Sequence, residues 1–388
     1  MKKVIYVIPG LNPLYKDGAS NRVNSYANCF LQNDYKVYII SLCHIRQFRD
    51  VYRKKKTLRD DVTWIIFPHL FYLDNRYKNL WGIVEKIFIF CIALFTKCKF
   101  VLCDYAVGAE LSSWTRFIAK LIVNHRGDSI DELKTITACN DDDKRIKNLI
   151  YFLTKSVKIA DYSIVVSENL RINIEQYTKL KLKNCFVFPC CADINRFASL
   201  QLSNNDDKII LGYFGGLNKW QCIDETLNLV KKLKNIDNRV YFLMLTNSSW
   251  DKYHDKLKEL GSDSYGVESV SFNDIPQWIS KMTLSFALRK NLPLNVVSSP
   301  TKLSESLAAG VPVVVTKATG DWRDIIEDGI NGIVLDNLNF SDEDVWKIYN
   351  YIMLIHKNRK QYFDLCRDSI SQRTWKYYSN KLIDFLER

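Results

Sequence analysis

Residues Ser298 to Val315 read SSPTKLSESLAAGVPVVV, a serine-proline start, a short helical pattern and an apolar run. Pro300 suits the first helical position and Ser299 can cap it. The freed N–H groups of Thr301, Lys302 and Leu303 would then present positive partial charge to an anion. Gly310 ends the helix and Pro312 prevents its continuation. Val313–Val315 is a run of the type buried inside a parallel sheet. Leu303 and Leu307 share one helix face, and Lys302 and Glu305 share another, which sets a cation beside a carboxylate. By itself the stretch is a capped, exposed helix with one surface ion pair.

Working outward, strand and helix patterns alternate through the rest of the chain. Ile209–Phe214 is an apolar run that ends in Gly215-Gly216-Leu217-Asn218-Lys219 and leads into a helix from about Ile223. That order lets backbone approach a phosphate closely, with Lys219 as a mobile cation. Further strands are expected at Val240–Leu245, Val267–Phe272, Leu284–Ala287 and Gly332–Leu335. Helices are expected near Trp250–Leu260, Ile275–Met282 and Trp322–Glu327, and the chain is helical from Asp342 onward. The first half repeats the scheme from Val4–Ile8 through Lys36–Ser41, Val62–Phe67, Phe100–Cys103, Leu121–Asn124, Ser163–Val166 and Phe186–Phe188. Such alternation predicts parallel, doubly wound sheets with right-handed crossovers. Leu121–Asn124 runs into His125-Arg126-Gly127-Asp128, where ligands of open α/β sheets collect, with Asp131 and Glu132 in reach of the same loop.

Two domains are expected from 388 residues: 1–197, then 198–372, with a helix at 373–388 that folds back on the first domain. The polar stretch after Phe197 is read as the linker. Fifty-five Lys and Arg against 43 Asp and Glu leave +12, so partners should be anionic: nucleotide phosphates, lipid head groups or nucleic acid. Eleven scattered cysteines without a C-x-x-C pair, and histidines far apart in sequence, argue for a reducing compartment and against a local metal site. Met1-Lys2-Lys3 leads into a strand and not into a signal peptide. The apolar segment Trp81–Phe95 is short of the roughly 20 residues of a bilayer span. It is expected to be a largely buried helix, with an interfacial position as the alternative. The basic stretch Arg46–Arg59 is either a solvated element or a contact with an anionic membrane.

Five phrases in order resemble one family, the retaining nucleotide-sugar glycosyltransferases of GT-B fold, family 4. They are DGASNRV at Asp17–Val23, HRGDSIDE at His125–Glu132, VFPCCADINRF at Val187–Phe197, YFGGLNKWQ at Tyr213–Gln221, and the Ser298–Val315 stretch. The resemblance implies two Rossmann-like domains facing across a cleft, with Gly215, Gly216, Lys219, Thr301, Lys302 and Leu303 at the donor diphosphate and Glu305 on the ribose. It sets Gly18, Arg126 and Glu132 on the acceptor and sugar side. Val297 stands where the family's Glu-x7-Glu pattern has its first glutamate, and Gly216 where an arginine commonly precedes the phosphate lysine. Arg289 could supply that second cation.

The chemistry implied is transfer from a nucleotide-diphosphate sugar, UDP-linked by expectation, to a saccharide or lipid-linked saccharide hydroxyl with retention, and without metal or cofactor. Cations and oriented N–H groups would stabilise the departing diphosphate. Lys219, Glu305, His125 and Arg289 are the candidate catalytic residues, His125 bonding a sugar hydroxyl. The expected setting is bacterial surface-polysaccharide synthesis, in the cytoplasm or on the inner face of its membrane, with no nucleic-acid partner. The open alternatives are a GT-B sugar-nucleotide epimerase or phosphorylase, and a non-catalytic basic protein binding membrane or nucleic acid. An NAD enzyme is disfavoured because no G-x-G-x-x-G follows the first strand.

Overall fold

A computed structural model describes residues 1–15, 18–70, 78–200 and 208–388. Asp17 of the DGASNRV phrase and residues 201–207 of the expected linker lie outside them. The chain forms two compact units, Met1–Phe188 with Trp375–Arg388, and Pro189–Thr374.

Unit 1 holds β1 (Lys2–Pro9), β2 (Tyr35–His44), β3 (Thr63–His69), β4 (Phe100–Asp104), β5 (Lys120–His125), β6 (Tyr162–Val165) and β7 (Cys185–Val187). Its helices are α1 (Gly18–Leu31), α2 (Ile45–Lys54), α3 (Lys78–Thr96), α4 (Tyr105–Leu111), α5 (Ser129–Thr137), α6 (Lys144–Ile159) and α7 (Glu168–Thr178). The strand order is β3-β2-β1-β4-β5-β6-β7, and every pairing is parallel. Val4, Ile5 and Val7 are fully buried, as strands covered by helices on both faces must be, hence their unbroken apolar runs.

Unit 2 holds β8 (Ile209–Phe214), β9 (Val240–Leu245), β10 (Tyr265–Glu268), β11 (Leu284–Ala287), β12 (Val313–Thr316) and β13 (Gly332–Leu335). Its helices are α8 (Ile223–Ile236), α9 (His254–Lys258), α10 (Ile275–Ser280), α11 (Pro293–Val296), α12 (Thr301–Ala308), α13 (Asp342–Lys357) and α14 (Arg359–Ser369). The order β10-β9-β8-β11-β12-β13 is again all parallel. The direction of winding reverses between β1 and β4 in one unit and between β8 and β11 in the other. The carboxyl edges at those two points are where such sheets bind ligands. A last helix, α15 (Trp375–Glu387), belongs to unit 1. There Trp375 meets Tyr26 and Phe188 with ring centroids 6.1 and 5.4 Å apart, and Glu387 pairs with Lys2 and Lys99 at 2.6 and 2.7 Å.

Three local expectations need correction. The helix expected near Trp322–Glu327 is a 3-10 turn, Gly320–Trp322. Gly320 has φ +64 with the Ser298 carbonyl where a Cβ would stand. Asn331 accepts from the Glu327 N–H at 2.8 Å and donates to the Ile325 carbonyl at 2.9 Å, replacing helical bonds with local ones. The strand expected at Val267–Phe272 stops at Glu268, opposite Leu245, because its partner β9 ends there. Ser299 does not cap α12. Its hydroxyl accepts from the Cys190 N–H at 2.9 Å and donates to Asp321 at 3.1 Å, and the helix N-cap is Pro300.

The apolar helix α3 is not largely buried. Leu80, Ile83, Val84, Ile87, Leu94 and Phe95 are exposed, at spacings that form one stripe. Its carboxylate points inward instead: Glu85 is fully buried, 2.7 Å from His69 Nδ1 and 3.1 Å from the Trp81 indole nitrogen. Among the described residues no helix is long and apolar enough to cross a membrane.

Candidate active site

In unit 2 the carboxyl end of β8 turns at Gly215, φ +113, where a Cβ would lie 2.5 Å from Lys302 Cε. Glycine is favoured there by the backbone conformation, and its missing side chain lets the lysine lie across it. Lys302 reaches in from the first turn of α12. Its Nζ donates to the Tyr213 hydroxyl at 2.7 Å and to Gln221 Oε1 at 2.8 Å, and stands 4.1 Å from the Tyr213 ring centroid. Tyr213 donates to the Gly216 carbonyl, which fixes the glycine pair. Gly310, φ +71, closes α12 with Val311 N–H bonded back to the Ser306 carbonyl at 2.9 Å.

Arg289 follows β11, the neighbour of β8, and is only 5% exposed. It donates to the Leu288 carbonyl at 3.0 Å, and Thr316 ties its backbone on both sides at 3.1 and 2.7 Å. Among the described residues neither Arg289 nor Lys302 has a carboxylate within ion-pair distance, whereas Arg373 and Arg196 of the same unit pair with Asp321 and Glu305. Burial first, and then the charge of Arg289, hold Lys302 well below the usual lysine range, with Glu305 opposing. A half-buried lysine across the glycine turn and a buried arginine near it thus form an arrangement that an anion completes.

The expected Lys302–Glu305 pair is not formed, although both lie on α12. Glu305 faces Arg196, from the 3-10 turn Ile194–Phe197, at 3.5 Å. Arg196 donates to the Phe272 carbonyl at 2.5 Å and its guanidinium carbon lies 3.5 Å from the Phe272 ring centroid. Burial pushes the Glu305 carboxyl up to about 7, against the pull of Arg196 and Lys302. Thr301 is exposed and Leu303 buried in the core. Lys219 opens the 3-10 turn Lys219–Gln221 with its side chain exposed, in no ion pair among the described residues. Val297, 3% exposed, offers no polar side chain where the resemblance has a glutamate. The roles of Tyr213, Gln221 and Arg196 were not anticipated, although the first two sit in YFGGLNKWQ and the third in VFPCCADINRF.

In unit 1 the segment after β5 divides in two. Arg126 turns into the unit: its guanidinium is 2.6 Å from Asp104 and donates to the Tyr6 hydroxyl at 2.9 Å. Asp104 also accepts from Tyr6 and Asn124, each at 2.8 Å. Arg126 thus takes part in a buried network with Asp104 and Tyr6. His125, 3% exposed, is left with Nε2 unbonded, and burial pulls its imidazole down to about 4, so it is neutral. Asp128 caps α5 through the N–H groups of Ile130 and Asp131, both at 3.0 Å. Glu132 is on that helix and exposed, and Gly18 is the first residue of α1. Among the described residues no group of three His, Cys, Asp or Glu is placed to hold a metal ion.

Two α/β units with all-parallel sheets of this topology define the GT-B class of fold. Residues 208–351 match the family model described as Glycosyl transferases group 1, so the segment carrying Gly215, Arg289, Lys302 and Glu305 is similar to domains of that kind. No curated protein matches the sequence. Among solved structures, sucrose-phosphate synthase from Thermosynechococcus elongatus is similar over 100% of this chain and 98% of its own, at 12% identity and a TM-score of 0.74. The Anabaena protein HepE, solved with UDP and glucose, matches over 100% of both chains at 13% identity and a TM-score of 0.69. A mutant of S. aureus TarM, solved with fondaparinux, α-GlcNAc-glycerol and UDP, does so at 11% identity and a TM-score of 0.71.

Proposed function

We propose that this protein transfers a sugar from a UDP-sugar to a hydroxyl of a saccharide or lipid-linked saccharide, with retention, in surface-polysaccharide synthesis. The observation that carries the reading is the pair of half-buried Lys302 and buried Arg289, without a carboxylate in ion-pair reach among the described residues, at the glycine turn of the segment that matches the glycosyl transferases group 1 model. As the bond to the anomeric carbon breaks, negative charge grows on the departing phosphate. Two preorganised cations in a water-poor site stabilise that charge more than they stabilise the intact donor. They take the place a divalent ion would otherwise fill. Lys219, mobile on the adjacent turn, adds a third positive charge, and Glu305 accepts from the ribose hydroxyls. The acceptor hydroxyl loses its proton to the departing phosphate on the same face, so no protein base is required. UDP as the donor nucleotide is supported by HepE and TarM, both solved with it.

Attachment to an anionic membrane surface is supported by the outward apolar stripe of α3. The 3-10 turn Ser113–Phe117 adds exposed Trp114 and Phe117, with Lys97, Arg116 and Lys120 exposed alongside. Buried apolar area and basic charge together favour such a surface. Co-sedimentation with anionic liposomes at low salt checks this part, and no binding there refutes it.

The test of the reading is calorimetric titration with UDP, followed by an assay of UDP release from UDP-sugars with and without saccharide acceptors. Binding of UDP that is lost in Lys302→Ala, and release that requires an acceptor, are expected. Absence of UDP binding by the intact protein overturns it.

A further inference from the structure

His125 and Asp128 border a cavity of about 80 Å³ at the carboxyl edge of β5. Its rim is formed by Tyr105, 41% exposed, and Gly127. Its walls, from α6 and α7, are apolar and include Phe152, Leu153 and Ile174. A water occupies about 30 Å³ of liquid, so the space suits a group of a few heavy atoms and not a whole hexose.

Two buried polar atoms of this cavity's lining residues have hydrogen-bonding capacity to spare. One is His125 Nε2, on a residue 3% exposed. The other is Asp128 Oδ2, on a residue 8% exposed, whose companion oxygen is used up in capping α5. The side chains of Asn173 and Tyr177 also bond to that carboxyl, and a carboxylate with about four lone-pair sites has room for a further donor. Buried polar atoms are almost always bonded, and those that are not call for a ligand or water. A neutral imidazole can donate through Nε2, and a carboxylate oxygen accepts.

Gly127 is a third, independent observation. It has no left-handed backbone, and a Cβ there would meet nothing within 4 Å. Gly329 is equally open, but its φ of +79 accounts for it. Neither conformation nor packing within the chain requires glycine at 127, which leaves the approach of something from outside.

We propose that this cavity in unit 1 receives the N-acyl group of a saccharide substrate, the acetamido group of an N-acetylhexosamine being the simplest case. The carbonyl accepts from His125, the amide N–H donates to Asp128, and the methyl enters the apolar space between Phe152, Leu153 and Ile174. A hydroxyl in the same place would be buried against carbon without a partner. A bare methyl would leave His125 Nε2 unbonded. The inference rests on the reading that unit 1 binds a saccharide.

Saturation-transfer NMR with the methyl glycosides of N-acetylglucosamine, glucose and 6-deoxyglucose tests it on the full-length protein. The acetamido glycoside should bind at least tenfold more tightly than the other two, with saturation strongest on its acetyl methyl. Gly127→Val at the rim and Leu153→Phe in the wall should each remove that advantage. Unfolding midpoints confirm that both variants fold; should Leu153→Phe not, Gly127→Val, set in open space, decides alone. Equal binding of the three glycosides, preference for the 6-deoxy sugar, no binding of the acetamido glycoside, or an unchanged Gly127→Val overturns the proposal. UDP titration of the same samples reports unit 2 separately, so a failed transferase reading and an empty cavity are distinguishable.

Discussion

Glu305 and Arg196 approach to 3.5 Å, the outer limit of a hydrogen bond, with side chains only 16% and 19% exposed. The attraction is too weak to offset the loss of water around the carboxylate, so the charged form is disfavoured and the carboxyl titrates at about 7. A folded-state value raised above the usual 4.5 means that the protonated form stabilises the fold. That contribution is complete below about pH 4.5 and is lost as pH rises through 7. Glu305→Gln should therefore raise stability at pH 8 by about 1 to 3 kcal/mol, and the gain should vanish by pH 4.5. Denaturant unfolding at the two pH values checks this. The same variant should bind UDP more weakly, since a ribose hydroxyl loses its ionised acceptor.

Lys302 is held below its ordinary range by burial and by Arg289, and a phosphate would reverse both effects. UDP binding should then draw a proton onto the lysine over the pH range in which the free side chain titrates, and affinity should fall as pH rises through that range. Calorimetry in buffers of different ionisation enthalpy measures the uptake. A heat that does not change with buffer counts against a depressed lysine in the site. Lys302→Ala should weaken UDP binding by more than tenfold, about 1.4 kcal/mol, and exposed Lys219→Ala should weaken it less.

Gly215→Ala confronts φ +113 and a contact 2.5 Å from Lys302 Cε. The lysine end can swing aside, but the backbone cannot, so a loss of about 1 to 3 kcal/mol of stability is expected, together with impaired UDP binding. Adding Lys302→Ala should relieve the collision and leave the conformational strain. If the double variant recovers full stability, the backbone argument is wrong.

The Arg126–Asp104 pair is deeply buried, its side chains 8% and 0% exposed. Arg126→Met should cost about 3 to 5 kcal/mol, because it strands a carboxylate inside unit 1. Asp104→Asn in the same chain should return much of that loss. Chemical denaturation of the two single variants and the double variant measures the coupling.

The fold was legible because its strands carry unbroken apolar runs, and Val240–Leu245, Leu284–Ala287 and Gly332–Leu335 begin and end where the pattern says. The site was legible in part. Gly215, Lys302 and Arg289 come together, yet spacing along α12 suggested a Lys302–Glu305 pair. It could not show that each side chain has a better partner from a distant segment: Tyr213 for one, Arg196 for the other. The fate of α3 was hidden for a related reason. A helix apolar on every side does not say which face looks outward, and that was decided by Glu85 meeting His69. The rim glycine at 127 was read only as part of a loop, because emptiness around a residue is not written in its neighbours.

The position of α15 sets an order of assembly. Unit 2 is one continuous segment, Pro189–Thr374, and can close as soon as it leaves the ribosome. Unit 1 cannot, because Trp375 and Phe385, which cover Tyr26, Phe186 and Phe188, are synthesised after unit 2 is finished. For the time needed to make 186 residues, at about 5 to 20 residues per second, the half-built first unit holds an aromatic seam open to the cell. A nascent chain in that condition is a client for chaperones, and its yield should depend on them more than the stability of the finished protein suggests.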